Sequence, residues 1–178
     1  VAQPLERGSK NYYSIIQGEK TMHFLYKRAA IEELELLVKT RIEVLRAANR
    51  LDSSVGLQEV EEHTRRYYKE SLQNGQHIAL LVWDSNTVVG TGGVSFYQVM
   101  PTYRNPSGKK AYIMNMYTAP AYRRKGIALH TLDLLMQEVS KRGIAAISLE
   151  ATEMGRPLYE RYGFQTMKHE MDWPLQKE

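Results

Sequence analysis

The chain has 178 residues, of which 43% are apolar and 25% charged, enough for one sizeable core in one domain. It contains no cysteine, which excludes disulfides, a thiol nucleophile and cysteine-ligated zinc. A net charge of +4 needs no nucleic acid to explain it, no apolar run approaches the length of a membrane span and no signal peptide is visible, so a cytoplasmic location is expected.

Residues 1–21 are polar, carry Pro4, Gly8 and Gly18, and show no sustained period. They read as an N-terminal extension or a cloning remnant and are set apart from the fold, leaving residues 22–178 as the domain. Residues 23–27 read as a first strand. Ile31, Leu34, Val38, Ile42 and Leu45 mark one helical face, with Glu32, Glu33 and Glu35 placed well for the helix dipole. After a turn at Asp52–Gly56, Leu57, Val60, Thr64, Tyr67 and Leu72 mark a second helix, which Gly75 ends. Residues 77–83 and 87–99 read as a hairpin around Asp84-Ser85-Asn86. Gly90, Gly92 and Gly93 interrupt its second strand and predict a bulge or a close backbone approach. A polar loop follows, then an apolar central strand over 111–118. A helix from about residue 127 to Arg142 turns Ala128, Thr131, Leu132, Leu135 and Val139 inward and ends at Gly143. Residues 144–151 read as a buried strand, 153–162 as a short helix closed by Gly163, and 166–173 as an alternating last strand. His23, His63, His77, His130 and His169 are scattered without metal-ligand spacing, so no metal is expected.

The chemistry concentrates where the central strand runs out. Pro120 stops it, and Arg123, Arg124, Lys125 and Gly126 lead straight into the next helix. The first N–H groups of a helix have no intrahelical partner and sit at the positive end of its dipole. Gly126 lets an anion approach the backbone, and the three cations add full charge. From these residues alone the turn reads as a phosphate site suited to a diphosphate, the alternative being a plain basic helix start.

Arg123-Arg124-Lys125-Gly126-Ile127-Ala128 fits the pattern Q/R-x-x-G-x-G/A, and Leu158-Tyr159-Glu160-Arg161-Tyr162-Gly163-Phe164 fits L-Y-E-x-x-G-F. On these two motifs the chain resembles the GNAT superfamily of N-acetyltransferases, most clearly from residue 88 to residue 164. The resemblance implies an α/β fold, with a mixed, mostly antiparallel sheet of about six to seven strands and helices on both faces. It implies acetyl-CoA as co-substrate, no metal, and a small-molecule or peptide amine as acceptor, with no nucleic acid or membrane partner and a homodimer as a common assembly.

By the same resemblance Arg123, Arg124, Lys125, Gly126, Ile127 and Ala128 hold the pyrophosphate, and Thr118 pairs with pantetheine through its backbone. The Met116 amide faces the thioester carbonyl beside a splay in the sheet, and Tyr159 gives the leaving thiolate its proton. Many relatives carry an acidic base on the central strand, but residues 111–118 contain none. Glu150 is then the candidate base, with Asn115 or Tyr117 acting through an ordered water as alternatives. Glu59, Glu61 and Glu62 either attract a cationic amine or form a solvated helix face. The missing carboxylate also permits a non-catalytic CoA-binding sensor of the same fold.

Overall fold

A computed structural model describes residues 11–17 and 20–173. Six strands form one sheet in sequence order: β1 (Asn11–Gln17), β2 (Lys20–Arg28), β3 (His77–Asp84), β4 (Thr87–Gln98), β5 (Lys109–Thr118) and β6 (Ala146–Leu149). β5 and β6 are parallel, and each other neighbouring pair is antiparallel, so the sheet is mixed. Helices α1 (Leu34–Asn49) and α2 (Gln58–Gln73) lie between β2 and β3 in the chain, α3 (Ile127–Lys141) joins β5 to β6, and α4 (Arg156–Tyr162) follows β6. No described helix is long and apolar enough to cross a membrane.

The continuous apolar run in β3 follows from burial on both faces. Ile78, Leu80 and Val82 pack with Leu132, Leu135 and Val139 of α3. Ala79 and Leu81 pack with Leu37 and Val38 of α1 and Tyr68 of α2 on the other side. Each of these large aliphatic side chains contributes about 1.5–3 kcal/mol when fully buried. Gly75, at φ +73°, turns the chain out of α2 as the sequence predicts.

Five of the expected strands form, but the expected complement of six to seven is not met in the expected way. Residues 166–173 form no strand: Met167, Met171 and Trp173 are exposed, and the segment pairs with no described strand. Alternation fits a side-chain pattern to a sheet, but a strand also needs an edge to bond to. The sixth strand is β1, from the stretch set apart as an extension, and its seven residues pair in register with β2. Tyr12, Tyr13, Ile15 and Ile16 are β-prone residues in that polar stretch.

The helix faces also differ from the periodic reading. Leu37, Val38, Thr40 and Val44 are the buried residues of α1, so its inward face is rotated from the predicted one. In α2, Tyr68 and Ser71 are buried, while Val60 and Tyr67 are exposed.

Candidate active site

The site begins as a fault in the β4–β5 ladder. Thr91 stands opposite Tyr117 and Gly93 opposite Met114, so two steps along β4 match three along β5. The extra residue makes a bulge at Asn115 and Met116, with Asn115 at φ +56°, a left-handed conformation that asparagine tolerates. Across the ladder, a Cβ on Gly92 would lie 2.6 Å from both Met116 Sδ and Thr131 Cγ2. Glycine is therefore what allows the Met116 side chain to lie over β4 toward α3.

On its other side β5 pairs with β6 only as far as Ile113 opposite Leu149. β6 stops there, and the chain turns toward α4, with the Gly155 amide donating to Thr152 Oγ1 at 3.2 Å. Residues 114–118 continue without a β6 partner. This is the splay that the sequence could not display. An extended ligand can add to such an open strand edge. On the same strand Thr118 Oγ1 is buried and has no hydrogen-bond partner among the described residues.

The basic turn lies at the end of the same strand. Arg124 (φ +61°) and Gly126 (φ +79°) flank Lys125 in left-handed conformations, a geometry that turns successive N–H groups toward one side. Gly126 is the N-cap of α3 and has no side chain to offer, so no side-chain cap meets the helix N–H groups. An anion suits that vacant role.

The motif residues divide their work. Arg123 Nε donates to the Thr118 carbonyl at 3.2 Å, which ties the turn to the strand. Lys125 Nζ lies 5.0 Å from the centre of the Tyr122 ring, whose hydroxyl donates to Asp84 Oδ2 at 2.9 Å. Arg124 is exposed, and the Ile127 side chain is buried in the core.

Glu150 and Tyr159 both follow β6 in the chain. Glu150 directly follows β6, is exposed, and stands beside Tyr112, whose phenol is pushed up to about 12 by burial and by that carboxylate. Tyr159 is buried on α4, edge-on to Phe164 at 6.0 Å, and lines a shallow hollow with Ile147 and Leu149. Burial raises its pKa, so the phenol keeps its proton at neutral pH. Tyr162, with no last strand to pack under, packs against the α3-side core, where burial and a hydrogen bond with Asp133 push it up to about 12.

Sequence reasoning missed a polar group on the α1–α2 side. Arg41 lies on the inward face of α1, four residues after Leu37 and three before Val44. Its Nη1 donates to Asn115 Oδ1 at 3.3 Å. His77 is buried nearby against Tyr67 and Tyr68, with Nδ1 3.0 Å from the Tyr67 hydroxyl, and burial lowers its pKa to about 4. A helical face drawn through apolar residues alone passes over Arg41. Drawing it through Leu37 and Val44 would have found it.

The sequence profile of the acetyltransferase (GNAT) family matches residues 42–164. The chain belongs to this family. Among solved structures, a predicted acetyltransferase of Clostridium acetobutylicum, crystallised with acetyl-CoA, is 32% identical, with a TM-score of 0.79 over 85% of this chain and 96% of that one. A GCN5-related N-acetyltransferase of Ralstonia eutropha is 27% identical, with a TM-score of 0.76 over 85% and 98% of the two chains. The uncharacterised N-acetyltransferase YsnE of Bacillus subtilis is 30% identical over 88 residues, 47% of this chain and 52% of its own. A second, YhfO, is 25% identical over 103 residues, 56% of this chain and 66% of its own. The matched part of this GNAT chain thus spans about half to two thirds of the curated relatives.

Proposed function

We propose that this GNAT protein is an N-acetyltransferase that moves the acetyl group of acetyl-CoA to an amine by direct attack on the thioester. The observation that carries the proposal is the splay beyond Ile113 and Leu149, with a bulge on its β5 edge and an uncapped helix N-terminus at the end of the same strand. Acetyl-CoA would supply the acyl group and a thiolate leaving group.

The chain's residues take the remaining roles. The α3 N–H groups, with Arg124, Lys125 and Gly126, hold the diphosphate. Thr118 and the open β5 edge hold the pantetheine arm. The Met116 N–H donates to the thioester carbonyl oxygen as negative charge grows there. The amine lone pair forms the new N–C bond, and the C–S bond breaks with its electrons left on sulfur. Glu150, directly or through water, takes the surplus proton of the amine, and Tyr159 gives one to sulfur. The acceptor, a small-molecule or peptide amine, enters from the α1–α2 side, where Tyr112 and Glu150 stand.

The test is amine-dependent release of the CoA thiol, with the N-acetyl product identified by mass. Tight acetyl-CoA binding without release to any class of amine would replace this reading with the non-catalytic sensor.

A further inference from the structure

We infer that Arg41 binds the carboxylate of the acceptor, and that the acceptor is an α-amino carboxylate. The inference rests on the acetyltransferase reading above and names the substrate class of the same site.

A guanidinium on the inward face of a helix needs anionic or hydrogen-bonding partners. Arg65 and Arg156 have them: Arg65 bonds Glu35 and Glu61, and Arg156 lies beside Glu160. Arg41 has no carboxylate partner among the described residues. Its one hydrogen bond among the described residues goes to the neutral Asn115 amide oxygen at 3.3 Å, long for an N–H···O contact. Most of a five-donor planar fork is left over, and that fork matches a carboxylate bidentately.

Position narrows the ligand. Asn115 is the bulge residue, directly before Met116, whose N–H is assigned to the thioester carbonyl. A carboxylate on Arg41 therefore sits close to the acyl carbon. An α-amino acid, with amine and carboxylate on one carbon, meets both demands at once. A polyamine would instead bring a second positive charge against Arg41. His77 does not compete for the anion, because burial keeps it neutral above a pH of about 4. Tyr68 is buried close enough to feel the Arg41 charge.

The experiment compares proteinogenic amino acids, their α-amides and their decarboxylated amines as acceptors for wild type and Arg41→Gln. Acetyl-CoA affinity, measured calorimetrically, serves as the control for fold. Wild type should favour the acids by at least about tenfold in kcat/KM, the lower range for a charge-assisted bond. In Arg41→Gln the acids should lose about 10- to 100-fold, through KM, while the amides hold and acetyl-CoA affinity is unchanged. An equal loss for all three acceptor types would mean that Arg41 only braces the bulge, and the inference would fall. It falls too if wild type acetylates amides or simple amines as well as acids, with the acetyltransferase reading intact. Acetyl-CoA binding without thiol release to any of these compounds would overturn both.

Discussion

Thr118→Val separates the cost of an orphaned hydroxyl from its use. Thr118 Oγ1 is buried without a partner; Thr118 stands opposite Gly90 in the ladder, and its carbonyl accepts from Arg123 Nε at 3.2 Å. Valine keeps the shape, favours a strand, and removes the unpaired oxygen. An unsatisfied buried polar group costs about 1–3 kcal/mol. The free variant should therefore be more stable by about 1 kcal/mol or more, which raises Tm by roughly 2–4 °C in a chain of this size. A covered hydroxyl cannot bond pantetheine, which Thr118 would meet through its backbone, so acetyl-CoA should bind the variant within about twofold of wild type. Scanning calorimetry without ligand and titration calorimetry with acetyl-CoA read the two effects separately. A variant that is less stable when free, or that binds acetyl-CoA about tenfold or more weakly than wild type, would refute the reasoning.

Gly92→Ala should destabilise by about 1–3 kcal/mol, because the new methyl meets Thr131, whose hydroxyl is bonded to the Ile127 carbonyl at 2.9 Å and cannot easily give way. A lower urea midpoint at unchanged m checks this. His77 is held neutral to about pH 4, whereas the unfolded chain protonates near ~6.5. The folded pKa is thus the lower one, so its contribution is complete above pH ~6.5 and is lost as pH falls toward 4, by up to about 3 kcal/mol. Stability measured against pH should fall less steeply over that window in His77→Gln, and an unchanged slope would contradict the assignment. Tyr159→Phe should bind acetyl-CoA normally yet turn over about 10- to 10⁴-fold more slowly in single-turnover transfer. Unchanged chemistry would mean that the thiolate leaves without this phenol.

The conformation of the basic turn was legible because it is local. Arg123 through Ala128 are contiguous, and a strand, a glycine and a helix start announce the geometry together. β3 and α3 were legible because their apolar runs match their burial. The Met116 bulge was only half legible: Gly90, Gly92 and Gly93 announced a close approach, but the extra residue lies on the partner strand. The splay is a tertiary fact, set by where β6 stops, and no residue in β5 encodes it. Arg41 escaped because a charge on an inward face contradicts the apolar periodicity used to draw that face. Residues 166–173 erred the other way, since alternation was present without an edge to pair with.

The central claim is that acetyl-CoA lies in the splay, with its diphosphate at the start of α3 and its thioester at the β5 bulge. A crystal structure of the protein soaked with acetyl-CoA tests it most directly. The account predicts density for the diphosphate against the amides around Gly126, the pantetheine arm along residues 114–118, and the thioester carbonyl within hydrogen-bond reach of the Met116 N–H. Acetyl-CoA bound elsewhere, or bound at α3 with its thioester turned away from Met116, would contradict it.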